Sequence, residues 1–143
     1  MMSRELEEGK SLAIDFGKLE SVVANGQALL PTVVQEVESG AVLLVGYVNK
    51  VALEATFKTK KATFWSSSRN ELWVKGKSSG NFLIVDEIRI NCEQNSLLYR
   101  VRMVGEGACH TQDADGRYRF GCFYRKINQN QLLAHLDSSH ETG

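Results

Sequence analysis

The chain has 143 residues, enough for one ordinary domain whose core needs no disulfide support. Hydrophobic residues make up 43% and charged residues 24%, a globular composition that argues against wholesale disorder. Its 17 basic and 17 acidic residues cancel to a formal net charge of zero, which argues against a general nucleic-acid binder, since displacing counterions from phosphates takes surplus Lys and Arg.

In chain order, residues 1–10 are charged and read as a frayed end, and 21–26 close a short amphipathic stretch. Residues 1–28 are therefore expected to form an N-terminal extension with a short helix. The start of the chain lacks the apolar centre of a signal peptide, and no apolar run approaches the ~20 residues that span a bilayer, so a cytoplasmic protein is expected. Residues 32–37 are β-branched and 41–48 apolar, with Glu38-Ser39-Gly40 between them as a hairpin turn. Asn49 is placed to N-cap a helix over 51–58, with Leu53 and Phe57 on one face. Strands follow at 62–65 and 71–75, then two long ones at 82–92 and 97–104 around the polar turn 93–96. A final strand over 120–126 leads into a C-terminal helix or tail, 128–143, with Leu132, Leu133 and Leu136 at helical spacing. With one proline and no repeat or linker, a single domain over 29–127 is the simplest organisation. The pattern predicts an α+β fold of mainly antiparallel strands with short flanking helices.

Three cysteines, Cys92, Cys109 and Cys122, are an odd number for a disulfide framework and stay reduced in the cytoplasm. Catalytic zinc takes three protein ligands and leaves a fourth position for water, so the count suits such a site. The separations of 17 and 13 residues form no local Cys-x-x-Cys pair, and spacing alone favours cysteines that are simply small buried hydrophobes. The missing Cys-x-x-Cys also makes a thiol redox protein a poor reading. In an extended segment His110 points away from the face of Cys109, which suits a proton shuttle or substrate contact better than a shared ligand. By the same alternation Asn91, Glu93 and Asn95 share the face opposite Cys92. Ser66, Ser68 and Arg69 in one inter-strand turn, and Lys75, Lys77 and Ser79 in the next, offer donors suited to phosphate, or are two hydrophilic loops.

The run Leu30-Pro31-Thr32-Val33-Val34-Gln35, with Tyr47-Val48-Asn49, Phe64-Trp65-Ser66, Ser68-Arg69, Leu72-Trp73-Val74-Lys75-Gly76, Ser79-Gly80, Ala108-Cys109-His110 and Cys122-Phe123-Tyr124-Arg125, resembles the phosphoribosyl-AMP cyclohydrolase family of histidine biosynthesis. The resemblance spans about residues 29–124. It implies an interdigitated homodimer that hydrolyses the N1–C6 bond of a small nucleotide substrate, with no nucleic-acid or membrane partner. It further implies zinc on Cys92, Cys109 and Cys122, with Cys92 crossing from the second subunit, His110 delivering a proton to N1, and the Ser, Arg and Lys residues above binding phosphate.

The family's magnesium aspartates fall on Asn91, Glu93 and Asn95, which leaves one carboxylate where three are expected and at most weak binding. One arginine of the usual Ser-Arg-Ser-Arg run is Ser67, a usual glutamate is Lys77, and 113–119 form an insertion. Negative charge is lost and positive charge gained, so Lys77 is a candidate replacement for magnesium in facing phosphate. A diverged paralogue acting on another nucleotide-like heterocycle, and a non-catalytic nucleotide-binding module with structural zinc, are the alternative readings.

Overall fold

The computed structural model describes residues 28–66 and 69–136. Strand β1 (Leu30–Glu36) turns back into β2 (Val42–Val48). The turn is set by Ser39, whose hydroxyl donates to the Glu36 carboxylate at 2.6 Å and accepts from the Ala41 N–H at 3.1 Å. Helix α1 (Lys50–Thr59) starts where the Asn49 side chain accepts from the Ala52 N–H at 2.9 Å. It stops at Lys60, whose left-handed φ of 65° lets its N–H return to the Thr56 carbonyl at 2.8 Å. A small hairpin of β3 (Thr63–Ser66) and β4 (Glu71–Val74) follows, then the long pair β5 (Leu83–Ile90) and β6 (Leu97–Met103).

The main sheet has the order β2-β1-β6-β5, with β1 and β6 parallel and the other neighbours antiparallel. The expected α+β class holds, although one pair in the sheet is parallel. Alternation drives the burial: Leu30, Thr32 and Val34 of β1 and Leu97, Tyr99 and Val101 of β6 face one core with Leu53 of α1 and Phe64 of β3. Phe64 stacks at 5.5 Å from Trp73 and 6.0 Å from Tyr99. Its ring lies against Gly46, where a Cβ would stand 2.5 Å from the ring edge, so β2 needs glycine there.

Two bulges bend the sheet. Leu43 is an extra residue of β2, between the pairs Val34–Leu44 and Gln35–Val42, so Leu43 and Leu44 are both buried. Asp86 is the extra residue of β5, and its carboxylate accepts from Arg102 at 2.9 Å through both oxygens.

The end of the chain departs from expectation. Instead of a helix from residue 128, β7 (Arg125–Ile127) and β8 (Leu133–His135) form a two-stranded hairpin. The reason is Asn128, whose side-chain oxygen accepts from the N–H groups of Asn130 and Leu132 at 3.0 Å each. That local turn outcompetes the helical spacing of the leucines. The strand expected over 120–126 begins only at Arg125, because residues 120–122 are tied to other partners. The short N-terminal helix, Ser68 and residues 137–143 lie outside the described residues. No helix among the described residues is long and apolar enough to cross a membrane.

Candidate metal centre

Cys109 and Cys122 are brought together, although thirteen residues separate them. Cys109 is buried in an irregular segment held by backbone hydrogen bonds: the Ala108 N–H donates to the Phe120 carbonyl at 2.9 Å and the Cys109 N–H to that of Arg119 at 3.1 Å. Cys122 is fixed by its own N–H, which donates to the Leu43 carbonyl at 2.7 Å. The bulge at Leu43 thus has a use, since it turns a carbonyl out of the β1–β2 ladder towards Cys122.

The two thiols lie close enough to perturb each other. Although Cys122 as a residue is exposed, the desolvated surroundings of its thiol and then the adjoining Cys109 sulfur push it up to about 11. The Lys75 ammonium pulls it back. Lys75 is only 5% exposed, and burial lowers its own proton affinity while the two sulfurs raise it. This lysine therefore belongs with the thiols, apart from Lys77 and Ser79, which are exposed. Ser79 shapes its own loop by accepting from the Asn81 N–H at 3.1 Å. Gly76, at φ 92°, packs so closely on Asn81 and Phe82 that a Cβ would stand 2.4 Å from the Asn81 backbone.

Cys92 is elsewhere. It is exposed in the turn that leads into β6, and it forms no metal-holding group with Cys109 and Cys122. Among the described residues, no three His, Cys, Asp or Glu side chains of the protomer form a group able to hold a metal. Two neighbouring soft sulfurs are the donor type that zinc takes, one short of the three of a catalytic site.

Magnesium does not fit. Asn91 gives its side-chain oxygen to the N–H groups of Asn95 and Ser96, each at 2.8 Å, and its amide nitrogen donates to the Asn95 oxygen at 2.6 Å. The Asn95 nitrogen in turn donates to Glu93 at 3.2 Å. N–H donors occupy the positions where a hard cation needs oxygens, and a single exposed carboxylate remains.

His110 is exposed beside buried Cys109. The Ser66 hydroxyl accepts from the Arg69 N–H at 3.3 Å, and the exposed Arg69 side chain lies 3.8 Å from Glu71. Spacing arguments missed Thr111 and Arg119. The Thr111 hydroxyl lies 2.9 Å from the Cys109 sulfur, its N–H donates to that sulfur at 3.4 Å, and Arg119 donates to the same hydroxyl at 3.0 Å. The i, i+2 spacing of Cys109 and Thr111, which lets a bend return the Thr111 N–H to the Cys109 side chain, was the available signal.

Fold and site together define an α+β domain with a two-thiol, one-lysine centre tied to the edge strand of a mixed sheet. Residues 44–124 match the family model described as Phosphoribosyl-AMP cyclohydrolase. A phosphoribosyl-AMP cyclohydrolase of Chlorobium phaeovibrioides is 42% identical over 130 residues, 91% of this chain and 90% of that protein. One from Chloroherpeton thalassium is also 42% identical, over 90% of this chain and 87% of its own, and one from Desulfotalea psychrophila 41% identical, over 73% and 78%. The chain belongs to the phosphoribosyl-AMP cyclohydrolase family, hydrolases that act on a cyclic amidine.

Proposed function

We propose that the chain hydrolyses the N1–C6 bond of phosphoribosyl-AMP, a step of histidine biosynthesis, at a zinc centre completed between two copies of the chain. The observation that carries this reading is the meeting of Cys109 and Cys122 in a protomer whose exposed Cys92 forms no metal-holding group with them. The exposed edge of the sheet supports the second copy. Strand β2 ends the hydrogen-bonded order and presents Val42, Val45 and Tyr47, all close to half exposed. An apolar edge strand of this kind calls for a partner.

Zinc, when bound, supplies a water whose pKa falls to ~7. In the reaction a water oxygen bonds to C6, the N1–C6 bond breaks with its electron pair going to N1, and N1 takes a proton. His110 is the residue we assign to hold and deliver that proton, because it stands on the solvent side of the segment that carries Cys109. Lys75 offsets the negative charge of the gathered sulfurs. Ser66, Ser68, Arg69, Lys77 and Ser79 are assigned to phosphate, with the Arg69 guanidinium drawn off its loose contact with Glu71 and Lys77 supplying positive charge without a second metal. A thiol centre of this kind suits the reducing cytoplasm, where we place the protein.

The test is a direct assay with phosphoribosyl-AMP, with and without magnesium, alongside metal analysis. Turnover with zinc near one per chain is the expected result. Zinc at that level with no turnover would contradict the assignment of substrate, and turnover in zinc-free protein would contradict the centre.

A further inference from the structure

We infer that Thr111, oriented by Arg119, is a positioning residue of the thiol centre. The proton arrangement follows from the contacts. A guanidinium carries only donors, so in the 3.0 Å contact with Arg119 the Thr111 oxygen accepts. Once Cys109 is a thiolate, as a metal ligand is, it can only accept, and the Thr111 hydrogen goes to its sulfur, 2.9 Å away. The Thr111 backbone N–H points at the same sulfur from 3.4 Å. A thiolate at Cys109 then receives two donors, the pattern that suits a sulfur ligating a metal.

Arg119 is held in turn. Its N–H donates to the Thr111 carbonyl at 3.1 Å, and its guanidinium lies 4.2 Å from the ring centre of Tyr124, two residues beyond Cys122. One run of contacts thus links the segments of both thiols. The insertion 113–119 gains a purpose here. The Asp113 N–H donates to the Arg117 carbonyl at 2.8 Å, and the Asp113 carboxylate accepts from the N–H groups of Asp115 and Arg117 at 2.9 and 3.1 Å. That closed hairpin keeps Arg119 opposite Thr111. Gly107 allows the approach, since a Cβ there would stand 2.3 Å from the Arg119 carbonyl oxygen.

This inference rests on the zinc reading above, and the experiment separates the two. Zinc affinity is measured by chelator competition, and Co2+ is substituted to read the thiolate-to-metal absorption band, in wild type, Thr111→Val, Thr111→Ser, Arg119→Leu and the Thr111→Val/Arg119→Leu pair. Outer partners of metal ligands are worth roughly 10–100-fold in affinity, so Thr111→Val weakens zinc by that order and alters the cobalt band. Thr111→Ser restores both. Arg119→Leu acts through the same hydroxyl, so the pair loses little more than Thr111→Val alone. Wild-type affinity in Thr111→Val, or losses that multiply in the pair, overturns the positioning role alone. Wild-type protein that takes up neither metal overturns the zinc reading and this role with it.

Discussion

Asn91 spends its side-chain oxygen on two backbone N–H groups and its nitrogen on Asn95. Carboxylates at both positions would face each other across that 2.6 Å contact and need a cation between them. The amide pair holds the turn without one. The melting temperature of the wild-type protein is therefore expected to ignore millimolar magnesium. The Asn91→Asp/Asn95→Asp double variant should melt lower in its absence and recover when it is added. A wild-type response to magnesium in a calorimetric scan would contradict the argument. Tyr99 gives a second residue-scale expectation. Burial pushes it up to about 12 from the ordinary 10.0, against the opposing Thr56 contact. The native state then keeps a proton that the unfolded chain has lost, so the contribution of Tyr99 is intact below pH 10 and disappears as pH climbs towards 12. The loss is on the order of 2 kcal/mol. Tyr99→Phe should flatten the fall in stability over that range in denaturant titrations. The fate of the amide cluster was half legible in the sequence. The missing carboxylates were visible at Asn91 and Asn95, but their mutual hydrogen bonds depend on how the 91–96 turn closes.

The elements were legible where local chemistry and burial agreed. Asn49 capped the helix as its side chain suggested, and β1, β2, β5 and β6 follow their apolar patterns closely. The parallel pairing of β1 with β6 was not readable, because it joins segments more than sixty residues apart. The C-terminal leucines misled for the opposite reason: their spacing suits a helix, but Asn128 builds a turn and the leucines stay exposed. Two substitutions test the element-level account. Gly46→Ala drives a methyl into the Phe64 ring, which costs roughly 1–3 kcal/mol by overpacking and should appear as a lower urea midpoint. Asn49→Ala removes the cap of α1 at a cost of about 0.5–2 kcal/mol, measured the same way.

At the scale of the whole molecule, the sheet keeps Cys92 away from the two thiols that it gathers. The sequence provided three cysteines with no reason to converge, and the fold brings together two of them, through the bulge at Leu43 and the backbone hydrogen bonds from 108–109 to 119–120. The proposal that the centre is completed across two copies makes a complementation experiment decisive. Cys92→Ser chains and Cys109→Ser chains are each expected to be inactive alone. After subunit exchange, half of the dimers are mixed and each holds one site with all three thiols, so about a quarter of the wild-type hydrolysis of phosphoribosyl-AMP should return. Activity that stays at zero in the mixture, with mixed dimers demonstrated, would contradict the shared centre.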